Sequence, residues 1–166
     1  MCIRDSPYPG GSDFEIHRRI KAAILDKGKS DLRDPKFFGA VNYNIGLVNG
    51  ALAVEALRTG YARFGARPLN GEEGRWAFEH LTIDPARLKE IGFDGLLQPI
   101  SITPTDHEGG GAARIQQWDG AKWVLQTDWI KADTDLVKAL VAEKSAAYAK
   151  EHKITPRNPA AETDPS

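Results

Sequence analysis

Phe37-Phe38-Gly39-Ala40-Val41-Asn42-Tyr43-Asn44-Ile45-Gly46-Leu47-Val48-Asn49 opens the stretch that decides the fold, which runs on to Gly65. No charge occurs between Lys36 and Glu55, so the segment must be buried in a protein core or in lipid. Phe37 to Val41 reads as a strand, and the helical pattern that follows ends near Phe64. Leu47, Ala51, Val54 and Arg58 lie on one helical line, widened by Val48, Leu52 and Leu57. Glu55, Arg58 and Arg63 give the second half a wet side. Gly65 is placed to stop the helix as its C′ residue. A membrane span needs roughly 20 mainly apolar residues. Asn42, Asn44 and Asn49, with Gly39, Gly46 and Gly50, argue instead for a buried strand and helix.

Outward from this stretch the punctuation is local. Upstream, Ser12 and Glu15 have capping-box spacing. Ile16, Ile20, Ala23 and Ile24 follow at helical intervals, and Gly28 closes a helix expected over 13–27. On that helix His17 reads as an ordinary surface histidine. Lys29 to Lys36 is a charged connector. Downstream, Asn70 caps a helix over 71–81 with Glu73 at N3, and His80 reads as a helix-end residue. Asp84-Pro85 starts a short helix that Gly92 ends. Leu96 to Thr103 reads as a strand interrupted by Pro99. Ala113–Trp118 and Lys122–Ile130 form a hairpin about Asp119-Gly120, both of whose turn positions would take positive φ. Asp133 caps a last helix over 134–151, with Leu136, Val137, Leu140, Val141 and Tyr148 on its buried side.

The 166 residues suffice for one substantial core. A net charge of -1 points to neither a nucleic-acid groove nor a polybasic membrane anchor. Cys2 is the single cysteine, which excludes an internal disulfide and a cysteine-based zinc site. Met1-Cys2-Ile3-Arg4-Asp5-Ser6 is too short and polar for a signal peptide. It resembles a translated sequencing-adaptor scar. The expected organisation is therefore a non-native leader and loop over 1–11, a body over 12–157 and a polar tail over 158–166.

Few residues offer chemistry. Asp106-His107-Glu108 can contribute metal ligands, but three neighbours rarely converge on one ion unaided. The glycines that follow lack the spacing of a phosphate loop. No G-x-S-x-G elbow occurs. The loop reads as structural, and the four tryptophans as packing residues.

Several blocks together carry a resemblance: Val41 to Asn49, Val54-Glu55-Ala56-Leu57-Arg58-Thr59, Pro68-Leu69-Asn70-Gly71-Glu72, Asp106-His107-Glu108-Gly109, Gln116-Gln117-Trp118-Asp119-Gly120 and Trp123. In their order and spacing they resemble the C-terminal part of substrate-binding proteins of branched-chain amino acid-type ABC transporters. The likeness runs from about Asp13 to Arg157. It implies an α/β fold of the type I periplasmic-binding-protein class: two lobes, incomplete here, with a hinge that closes over a ligand, and a C-terminal β-hairpin and helix. Ser12 to Gly28 would end the second lobe, Phe37 to Val41 would cross to the first, and the hairpin near Trp118 would lead back.

The resemblance further implies a solute-binding component in the periplasm, with its signal peptide upstream of the present start. It would capture a small polar ligand such as a branched-chain amino acid or amide and deliver it to permease subunits. No cofactor, catalysis, nucleic acid or membrane span is expected. Of the ligand-facing groups, Tyr43, Asn44 and Asn49 would remain. The plainer alternative is that Asn44 caps the long helix and Tyr43 fills the core. Two other functions stay open: a ligand-sensing receptor domain of the same fold, and a small metal-dependent enzyme using the Asp106-His107-Glu108 loop.

Overall fold

The computed structural model describes residues 3–6 and 9–165. The elements in chain order are β1 (Ile3–Ser6), α1 (Glu15–Ala23), α2 (Val41–Phe64), α3 (Gly71–Glu79), β2 (Thr82–Ile83), α4 (Pro85–Ile91), β3 (Ile100–Ser101), β4 (Ala112–Trp118), β5 (Trp123–Leu125), β6 (Ile130–Lys131) and α5 (Thr134–His152). Every pair of named strands is antiparallel. β4 lies between β1 and β5 and also pairs with β6, while β2 and β3 form a separate ribbon.

The core lies where α2, the β2–β3 ribbon and the α4 turn meet. Val48 and Ala56 of α2 pack with Leu81, Ile83, Leu88, Phe93, Leu96 and Leu97. Buried on α2 are Asn44, Val48, Glu55, Ala56 and Gly60; of the expected apolar face, Val48 is buried and Leu47, Ala51 and Leu52 pack partly buried against the core. Val54 and Leu57 are exposed. Gly60 allows close approach: a Cβ there would come within 2.5 Å of Leu69 Cδ1, a side-chain end that would have to turn aside, and 3.1 Å of Ala77 Cβ. Glu55, buried on the same helix, is clamped by Arg87 of α4 through bonds of 2.8 and 2.7 Å, which offsets its desolvation.

The capping signals around α3 and α4 form as read. Asn70 accepts from the Glu73 backbone while Glu73 accepts from the Asn70 N–H. Asp84 accepts from the Arg87 N–H, and Gly92 ends α4 in the left-handed region.

Other expectations are corrected. Phe37 to Val41 is no strand. Asp34-Pro35 starts a 3-10 turn over Pro35–Phe37, with Asp34 accepting from the Lys36 N–H. Gly39 then takes φ 79, and α2 begins at Val41 with Ala40 as its N-cap. Asn44 thus sits inside the helix and does not cap it. α1 is shorter than 13–27: Phe14 is its N-cap without a side-chain bond, and a 3-10 turn over Leu25–Lys27 carries the chain to Gly28. The Ser12 cap does not form: the helix starts two residues later, with Phe14 as N-cap, and the Glu15 carboxylate turns forward to Arg18 and Arg19 instead of back to the Ser12 backbone. His17 is buried, 1% exposed, and is not a surface residue.

The strand expected over 96–103 shrinks to β3, because Leu96 and Leu97 turn back to the Phe93 carbonyl. The hairpin forms, but its loop is 119–122 between the paired Trp118 and Trp123. Asp119 Oδ1 accepts from the Ala121 and Lys122 N–H groups, and of the two expected turn residues only Gly120 has positive φ. The strand expected over 122–130 is broken, because the Ile115 N–H bonds Thr127 Oγ1 in place of a ladder carbonyl.

α5 forms with Asp133 accepting from the Leu136 N–H, yet it buries no residue. Leu136, Val137, Leu140, Val141 and Tyr148, the expected buried side, are all exposed. Among the described residues no element covers that face.

The expected leader and loop fall partly outside the described residues, at Met1, Cys2, Pro7 and Tyr8, as does Ser166 of the tail. Ile3–Ser6 pairs with β4 in the register Ile3↔Gln117 to Ser6↔Arg114, so this part of the leader belongs to the sheet. The tail is strapped to α3: Arg157 binds Glu79 and Glu162, and Glu162 binds Arg75.

Candidate functional site

At the start of α2 three distant segments meet around one amide. Asn44, fully buried, donates through Nδ2 to the carbonyls of Pro9 (2.8 Å), Gly11 (3.0 Å) and Gly39 (3.3 Å). Its Oδ1 lies 2.7 Å from Nε2 of His17. The carbonyl partners fix which end of the amide is nitrogen, so Oδ1 faces the imidazole and Nε2 carries the proton. Gly11 donates to the Gly39 carbonyl at 2.8 Å, and Gly10 donates to Gln116 Oε1 of β4 at 3.0 Å. Close approach is obligatory here: a Cβ on Gly39 would lie 2.7 Å from Ser12 Cβ, and one on Gly10 2.7 Å from Trp123 Cδ1.

Aromatic rings wall the node. Phe38 meets His17 and Tyr43 edge-on, each at a centroid distance of 5.3 Å, and Phe14 lies 5.8 Å from the imidazole. Burial lowers the His17 pKa despite the Asn44 bond, which acts the other way. Burial raises that of the Tyr43 phenol. The node thus brings Tyr43 and Asn44 together with His17, while Asn49 is exposed and stands apart. Both Asn44 donors are engaged by the chain's own carbonyls. Sequence reasoning missed His17, although its spacing to Ile20 and Ile24 (i, i+3, i+7) marks it as sharing their helix face.

On another side of α2 an open groove of about 630 Å³ runs over Gly46, Gly50, Ala51 and Val54 toward Ile91 and Phe93. Its charged rim is internally paired: Arg87 binds both Glu55 and Glu90, and the Arg87 guanidinium holds the Glu90 carboxyl below its usual range.

The Asp106-His107-Glu108 loop is occupied structurally. Asp106 pairs with Lys138 of α5 at 3.0 Å and accepts from the Glu108 and Gly109 N–H groups. Lys138 first, and those backbone bonds after it, lower the Asp106 pKa. His107 Nε2 lies 3.3 Å from Glu79 Oε1. Among the described residues no group of three or more His, Cys, Asp or Glu side chains could hold a metal ion. No helix among them is long and apolar enough to cross a membrane.

A crystal structure of an ABC transporter permease from the Pseudomonas fluorescens group is similar to this chain, with a TM-score of 0.90 and 60% sequence identity. The fold is transporter-related. The match covers 95% of this chain and 38% of that one. A branched chain amino acid ABC transporter from Thermus thermophilus with bound valine has a TM-score of 0.58 at 24% identity, over 79% of this chain and 33% of its own. That second likeness is one of fold. This transporter-related chain therefore spans well under half the length of either protein. No protein-family model and no curated protein matches it.

Proposed function

We propose that this chain is part of the solute-binding component of an ABC transporter. It would act in the periplasm, capture a small polar ligand such as a branched-chain amino acid or amide, and deliver it to permease subunits without catalysing a reaction. The observation that carries this reading is the fold shared with a transporter structure that holds valine. The start of α2 supports it chemically. An amino-acid zwitterion needs donors for its carboxylate, and the first turn of α2 has no side-chain cap, leaving the N–H groups near Val41 to Tyr43 unclaimed by a capping side chain. Tyr43 would add a phenol beside them. Asn44 would serve this site by fixing the backbone around it, and Asn49 would reach the ligand from outside the node.

The test is calorimetric titration of the full-length protein that carries this segment with valine, leucine and small amides. Saturable binding of at least one is expected. No saturation with any of them would overturn the reading. The naming of the Pseudomonas-group relative as a permease favours a second reading, a component of the translocator itself. Fractionation separates the two: a solute-binding component is released with the periplasm, whereas a translocator component sediments with membranes.

A further inference from the structure

We propose that the His17–Asn44 pair is an acid-sensitive latch, closed while His17 is neutral and opened by its protonation, that fixes residues 9–11 against the start of α2. This concerns the conformation of the chain and holds whether or not the ligand reading does.

The geometry supplies each part. Asn44 is the only side chain that bonds Pro9, Gly11 and Gly39 together among the described residues. Its oxygen has one partner among the described residues, the His17 Nε2–H. Nδ1, the remaining ring nitrogen, is buried with no partner among the described residues. Neutral imidazole leaves there a bare acceptor, a modest cost. Protonation would place a donor and a positive charge at a site with no acceptor among the described residues, which is far more costly.

The surroundings offer little to relieve that charge. Phe38 from the 3-10 turn and Phe14 from the α1 entry are apolar. Tyr43 from α2 presents a phenol that burial keeps protonated. Pro9, Gly10 and Gly11 have no titratable side chain, and Gln116 from β4 is neutral. Asp13, ahead of α1, favours the imidazolium, but less than burial opposes it. The sign follows. The folded state binds fewer protons at His17 than the unfolded one, so the latch is at full strength above the ordinary histidine range and is lost as pH falls through the lowered folded value.

The test uses the full-length protein without ligand, so that its failure and that of the binding proposal are distinguishable. Amide exchange is followed at Gly10 and Gly11, whose N–H groups bond Gln116 and Gly39, and is normalised to unstructured-peptide rates. Between about pH 7.5 and about pH 5 the opening equilibrium should rise about tenfold in the natural protein. His17→Gln keeps an Nε2 donor for Asn44 but cannot titrate, and should flatten this dependence. Equal pH dependence in both proteins, or none in the natural one, would overturn the latch. Should His17→Gln not fold, the imidazole of the natural protein is titrated by NMR. Opening that tracks a midpoint below the ordinary histidine value supports the latch, and opening while His17 stays neutral sinks it.

Discussion

α3 and α5 start alike and end differently. Asn70 and Asp133 each accept the N–H three residues on, from Glu73 and Leu136. Beyond the cap, α3 buries Glu73, Ala77 and Glu79, whereas α5 buries nothing. Leu140 and Val141 are 48% and 57% exposed, while Leu81, just past α3, is fully buried. Caps specify that a helix exists, because they act within a few residues. Burial is specified by what lies across from the helix, and α5, tied to the Asp106 loop through Lys138, has no element covering its apolar face among the described residues.

The sharpest way to break this contrast is a pair of truncations. Leu81→Ala should destabilise the protein by about 2–5 kcal/mol, whereas Leu140→Ala should change it by no more than about 0.5 kcal/mol. Urea unfolding of both reads the difference, and equal costs would mean that the α5 face is covered. Next come the caps. Asn70→Ala should cost about 1 kcal/mol and move the urea midpoint. Asp133→Ala should lower helicity by circular dichroism and leave that midpoint almost in place.

Acid sharpens the contrast further, because the paired carboxylates hold the α3 side. Arg67 keeps the Glu73 carboxyl below its usual range, and Arg157 does the same for Glu79. Arg157, with Arg75, brings Glu162 down to about 2. These folded values lie below the unfolded ones, so the stabilisation is complete above the ordinary carboxylate range and is lost as pH falls through them. The strap over 157–162 should therefore be released only in strong acid. A carboxyl NMR titration placing Glu162 at the ordinary glutamate value would remove the strap from the comparison. The smallest effect is expected in the loop between the two regions. His107→Ala in the full-length protein should leave ligand affinity nearly unchanged, and a loss beyond about tenfold, about 1.4 kcal/mol, would make that loop part of a site.

What was legible in the sequence follows the same division. Asn70 with Glu73, Asp84-Pro85 with Gly92, and Asp133 are complete local signals, and all three helix starts form where they were read. Ser12 with Glu15 is an equally good signal that fails: the helix starts after Phe14, and Arg18 and Arg19 take the Glu15 carboxylate that the box needs. The strand expected at Phe37 to Val41 is lost to the 3-10 turn that Asp34 caps. Of the three residues expected to face a ligand, Tyr43 and Asn44 lie at the node with His17, and Asn49 lies exposed outside it. The role of Asn44 in joining segments was not legible, because its partners Pro9, Gly11 and His17 lie 35, 33 and 27 residues away.

The gap between α2 and α3 is gauged by a missing methyl, since any Cβ at Gly60 collides with Leu69 and crowds Ala77. A side chain there would act as a wedge. α3 is short and stiff, so it would pivot as one lever, and its far end carries Glu79, the post to which Arg157 is tied. One carbon atom at residue 60 would thus be felt as slack in a cord anchored near the opposite end of the chain.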